Sequence, residues 1–113
     1  MERIYNLKDI IDNDTNKVIK KNFFTTDLTN GVIWIVPPGQ EVHKHVHHQS
    51  DDIWVCIAGE GIFYPDLKQE VQIKSNCVVV SPKGKCHGIK NIGKENLVFI
   101  SIVNPIPSDY EPL

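Results

Sequence analysis

The chain has 113 residues, 41% hydrophobic and 23% charged, an ordinary composition for one globular domain that can bury a core without disulfides or a structural metal. Twelve Lys and Arg against 14 Asp and Glu leave a formal charge of -2, so no basic surface is expected to recruit nucleic acid. Any metal bound by such a chain is expected to serve function rather than folding.

The N-terminal stretch MERIYNLKDI carries charges where a secretory signal would need an apolar run. Only Leu7 to Ile11 has helical spacing. Short β-branched or aromatic runs follow, and they predict strands at Val18 to Phe24, Gly31 to Val36, His43 to Gln49, Ile53 to Ala58, Ile62 to Tyr64, Val71 to Ile73, Cys77 to Ser81, Gly88 to Asn91 and Leu97 to Val103. Turn signals punctuate them at Thr29-Asn30-Gly31, Pro37-Pro38-Gly39, Gly59-Glu60-Gly61, Pro82-Lys83-Gly84 and Asn91-Ile92-Gly93. Strands in series without intervening helices imply an all-β antiparallel sandwich or barrel, and no linker or repeat divides residues 1–113. The longest apolar run, Leu97 to Val103, is seven residues and contains Ser101, so no membrane partner is expected. The tail from Asn104 to Leu113 has three prolines and is expected to be irregular, packing on the outside. Three cysteines, Cys56, Cys77 and Cys86, lack CxxC spacing and read as reduced thiols of a cytoplasmic protein.

Two of the predicted strands, Val32 to Val36 and Ile53 to Ala58, are apolar on both alternating faces, whereas a sheet with one face in water alternates apolar with polar. The outer face therefore needs a cover. Either a terminal segment of the same chain supplies it or a second subunit does, and a homodimer packed sheet to sheet is the expectation.

Chemistry concentrates in EVHKHVHHQSDDIW, residues 41 to 54, where four of the five histidines fall within six positions. In an extended strand His45 and His47 share a face about 7 Å apart, close enough to share one ion, with His43 in phase one step back and His48 out of phase. A third ligand is expected from Asp52 or Asp51, which open the next apolar run, and a fourth from His87 after the turn at Pro82-Lys83-Gly84. Three neutral imidazoles and a carboxylate suit one divalent ion of Fe, Ni, Mn, Co or Zn with a position left for a small molecule. His43, Glu41 and Lys44 flank these residues at the mouth. They are the catalytic candidates, and each also reads as solvated rim. Trp34, Trp54, Phe63 and Tyr64 could wall a substrate or serve as core. Cys86 beside His87 should point the other way.

Pro38-Gly39, five residues, His45-Val46-His47, four residues, Asp52, six residues, Gly59 resembles the first motif of the cupins. Pro82-x-Gly84-x-x-His87-x-x-x-Asn91 resembles the second. The two stretches, 39–59 and 82–91, imply a small single-domain cupin with the double-stranded β-helix, or jelly-roll, barrel. They also imply that His45, His47 and His87 ligate the metal. Asp52 stands where the family usually has glutamate, one methylene longer, and Asp51 also lies within the spacing the family tolerates. Asn76 stands where the second motif usually opens with glycine, a position it can fill because asparagine tolerates positive φ.

Cupins host many reactions, so the resemblance implies a function class only. The expectation is a small-molecule metalloenzyme, an isomerase, lyase, cyclase or dioxygenase acting on an oxygen-rich compound such as a sugar acid or polyketide. The alternative is a non-catalytic metal-dependent binding or sensing protein.

Overall fold

A computed structural model describes residues 2–113. Helical spacing near the N-terminus gives one short helix, α1 (Leu7–Ile10), capped by the Asn6 side chain accepting from Lys8 N. The β-branched runs give the strands: β1 (Ile19–Thr25), β2 (Asn30–Val36), β3 (Glu41–Val46), β4 (Asp51–Ala58), β5 (Glu60–Phe63), β6 (Val71–Lys74), β7 (Val78–Ser81), β8 (His87–Asn91), β9 (Leu97–Asn104) and β10 (Glu111–Pro112). They form two five-stranded sheets in the orders β1-β2-β9-β4-β7 and β10-β3-β8-β5-β6, and every pairing is antiparallel. This is the all-β double-stranded β-helix.

Two departures from the sequence expectation matter for the site. The strand expected at His43 to Gln49 runs instead from Glu41 to Val46, because backbone N–H groups of His48 and Gln49 turn out of the sheet to reach the Asp109 carboxylate at 2.9–3.0 Å. The tail is not wholly irregular: β10 pairs with β3, Glu111 opposite Val46 and Pro112 opposite His45. Turn chemistry follows the expectation. Gly59 adopts φ 84°, where a Cβ would fall 2.7 Å from the Asn96 carbonyl, and Asn76 adopts φ 76°.

Side chains from both sheets meet in one core that includes Val36, Val42, Trp54, Cys56, Phe63, Ile89, Leu97 and Phe99. The outer face of β2 is covered by the chain itself: Leu7, Ile10, Ile11, Ile19 and Phe23 pack on Ile33, Ile35 and Val98. Of the two covers expected for the doubly apolar strands, the N-terminal segment therefore serves β2. It does not serve β4 and β7, where Ile53 and Val55 stay 36% exposed and Val78 and Val80 about 60% exposed.

Asn91 pins one end of the barrel. Fully buried at 0% exposure, it donates from Nδ2 to the carbonyls of Val36 and Glu95, both at 2.8 Å, and accepts from Gly93 N at 2.8 Å. Every polar atom of the amide is used, so truncation strands a buried carbonyl as well as removing bonds. Asn91→Ala should destabilise the protein by about 3 kcal/mol and lower the melting temperature by about 10 °C or more in calorimetry. A loss within a degree or two would show that the turn holds without it.

Candidate metal centre

Three elements converge at one end of the barrel. His45 comes from β3, His47 from just beyond it, Asp52 from β4 and His87 from the start of β8. One ligand-capable atom from each lies within 4.8 Å of all the others. His45 and His87 sit opposite each other in the β3–β8 ladder, with ring centroids 4.1 Å apart. Simple alternation would keep His43 in phase with them, but a register shift between Val42 and His45 breaks it. Val42 and His45, three apart, are both buried, and the His43 side chain is 78% exposed.

Each imidazole is oriented from behind. Nδ1 of His45 donates to the His43 carbonyl at 2.6 Å, Nδ1 of His87 to the Lys85 carbonyl at 3.2 Å, and Nδ1 of His47 to the Asp109 carbonyl. A carbonyl can only accept, so these contacts place the proton on Nδ1 and leave each Nε2 as a lone pair facing inward. There the Asp52 Oδ2 atom lies 3.2 Å from His87 Nε2 and 3.6 Å from His47 Nε2, while Ser101 Oγ donates to Oδ1 at 2.5 Å. His87 Nε2 is buried and makes no hydrogen bond among the described residues. Lone pairs crowded on a carboxylate repel unless a proton or a cation lies between them. The donor set of three imidazoles and one carboxylate therefore fits a divalent transition metal.

The electrostatics differ between the two histidines of the first pair. Burial, aided by the neighbouring His87 and His47 rings, lowers the His45 pKa to about 4 despite its bond to the His43 carbonyl. The Asp52 carboxylate beside it raises that of His47. Burial alone would push Asp52 up. Its contacts with His47, His87 and Ser101 outweigh that and hold it well below the usual carboxylate range.

Of the remaining candidates, His43 and Glu41 line a cavity of about 390 Å³ together with His45, His47 and Asp52, with Nδ1 of His43 3.4 Å from Glu41 Oε1. Lys44 is not in that lining: its Nζ lies 4.6 Å over the Tyr64 ring, and it borders a neighbouring pocket with Glu41 and His43. Asp51 faces away, accepting from Lys83 N at 3.0 Å, and His48 pairs with Glu111 at 2.8 Å. Cys86 Sγ points to the Tyr64 carbonyl. Trp34 and Trp54 line the cavity, and Trp54, like Phe63, also belongs to the core. Sequence reasoning missed Ser108, Asp109 and Tyr110, which close over the cluster from the tail, the Tyr110 ring centroid 4.9 Å from that of His45. Their only signal was polarity after a proline-rich stretch. Ser101, the one hydroxyl in the run from Leu97 to Val103, was a clearer sign.

The cupin domain family model matches residues 32–103. An oxalate-binding protein of Thermotoga maritima is 34% identical over 68 residues, 60% of this chain and 55% of the relative, so the match spans about half of that relative's length. The structure superposes on a protein with a double-stranded β-helix domain from Klebsiella pneumoniae with a TM-score of 0.90 and 26% identity, covering 99% of this chain and 97% of the other. A predicted oxalate decarboxylase from Thermotoga maritima gives 0.72 and 26% identity, covering 79% and 81%.

Metal-free protein should be acid-sensitive through His45. The unfolded chain takes up the proton near pH 6.5 and the folded one only near 4, so stability falls as pH drops across that window, by about 3 kcal/mol at most. His47 works in the opposite sense: its raised pKa contributes stability present below pH 6.5 and lost as pH rises through its folded value. Urea unfolding of wild type and His45→Gln between pH 4 and 7.5 isolates the first effect, and the variant should show the shallower acid limb. Parallel curves would contradict a buried neutral His45.

Proposed function

The chain belongs to the cupin domain family, and we propose that it is a metal-dependent enzyme of small-molecule chemistry, with one divalent ion per chain held by His45, His47, Asp52 and His87. The observation that carries this reading is the convergence of three backbone-anchored imidazoles and one carboxylate, three of the four residues lining a cavity. A divalent ion there would polarise a carbonyl as a Lewis acid, or as iron support oxygen chemistry. The first serves an isomerase, lyase or cyclase and the second a dioxygenase, on an oxygen-rich compound such as a sugar acid or polyketide. His43 and Glu41 are the groups placed to move a proton at the mouth, and Trp34 and Trp54 exclude water from the walls. Lys44, with its Nζ over the Tyr64 ring, stands beside them as the third candidate.

A second reading, metal-dependent binding without turnover, draws support from the relative named as an oxalate-binding protein. For assembly, the exposed apolar row Ile53, Val55, Val78 and Val80 on the outer face of β4 and β7 supports a homodimer packed through that face. A cytoplasmic setting suits the three free cysteines. Among the described residues no helix is long and apolar enough to cross a membrane.

Elemental analysis of protein purified without a nickel column should find one divalent ion per chain. His47→Ala should lose most of it while keeping a cooperative thermal transition. Asp52→Asn should weaken metal binding moderately, since three imidazoles remain, yet change turnover strongly by removing the negative ligand. Asp51→Asn should alter neither. Turnover is screened on keto-acids, uronates and catechol-like compounds with iron, nickel, manganese and zinc. Retention of one compound without turnover on any metal favours the binding protein. Light scattering should give twice 12.8 kDa, reduced to one by Val80→Asp.

A further inference from the structure

We infer that the cavity takes an elongated small dianion, with one oxygen-bearing end at the histidine–aspartate cluster and a second carboxylate at Lys20 on β1. This deepens the metal-dependent reading above and rests on it. The argument begins with register. Lys20 pairs with Trp34 and Asn22 with Val32, so β1 turns these two polar side chains to the same inner face as the cavity walls of β2. The next strands continue the rows inward with Phe99 and Cys56 beyond Trp34, and with Ser101 and Trp54 beyond Val32. Lysine is common on an edge strand as a guard against pairing, so position alone says little.

Its surroundings say more. Lys20 is the one Lys or Arg lining the cavity, its Nζ lies 5.4 Å over the Trp34 ring, and among the described residues no carboxylate pairs with it. The acceptors that could answer it are engaged: Asp52 with Ser101 and the imidazoles, Glu41 with His43. An ion at the cluster adds positive charge there. What is missing from the cavity is acceptors, carried at two separated points by a body that lies on the indole of Trp34.

Distance sets the length. β1 is three strands from β4, roughly 14 Å across the sheet, and the Lys20–Trp34–Phe99–Cys56 row lies four residues, roughly 13 Å, along the strands from the row of Asp52, a separation of which the lysine side chain covers a part. The two carbons of oxalate would reach neither Lys20 from the cluster nor fill about 390 Å³. An acid with several carbons between its carboxylates does both.

Calorimetric titration of zinc-loaded protein with the series oxalate, malonate, succinate, glutarate and adipate, and with butyrate and hexanoate, tests this. The longer diacids should bind about tenfold more tightly than the monoacids of the same length. Lys20→Met should abolish that difference, Lys20→Arg should keep most of it, and neither should change zinc affinity. Oxalate binding as tightly as adipate, or a difference that survives Lys20→Met, would overturn the assignment while leaving the metal centre intact. Failure to bind zinc in the preceding metal titration would overturn the metal reading and this one together.

Discussion

Three imidazole N–H groups each end on a backbone carbonyl, and the whole site depends on that arrangement. An imidazole on a free side chain samples both tautomers and several ring orientations, so three of them would rarely present lone pairs to one point. Here His43 O, Lys85 O and Asp109 O fix the proton on the outward nitrogen of His45, His87 and His47. The carbonyls come from a bulged strand, a turn and the tail. The barrel's service to the site is to hold those three pieces of backbone still. The bulge in β3 and the pairing of β10 with β3 both bear on that point.

The division of labour between the sheets follows. The sheet containing β3 and β8 supplies the imidazoles, and the one containing β4 supplies the carboxylate together with most of the inner wall. Alternation along β4 is clean, with Asp52, Trp54 and Cys56 buried between exposed Asp51, Ile53 and Val55. One residue of phase therefore decides that Asp52 and not its neighbour enters the cluster. Ser101 on β9 holds the Asp52 oxygen that does not face the imidazoles.

Much of this was legible in the sequence, for reasons that are local. β-branched runs between glycine and proline turns are strand signals whatever the tertiary context. Histidines at i and i+2 read as one face, and the gap to Asp52 and the separate His87 could be matched to a known pattern. Two kinds of information were not legible. The register shift between Val42 and His45, which leaves His43 exposed, arises from pairing with β8 and has no signature within β3 itself. The role of Ser108, Asp109 and Tyr110 depends on a contact more than sixty residues away in sequence. Which cover serves which strand was not legible for a related reason. The outer faces of β2 and β4 look alike as text, but only β2 lies where the N-terminal segment passes.

The contact between His47 and Asp109 spans 62 positions, and this orders events during synthesis. A growing chain that has just released His45 and His47 offers two imidazoles without Asp52's sheet, without His87 and without the carbonyl that settles the tautomer of His47. The four donors therefore come to one point only after β9 and the residues beyond it have closed the barrel, and a chain shortened before Asp109 would keep every donor side chain while losing the carbonyl that orients His47.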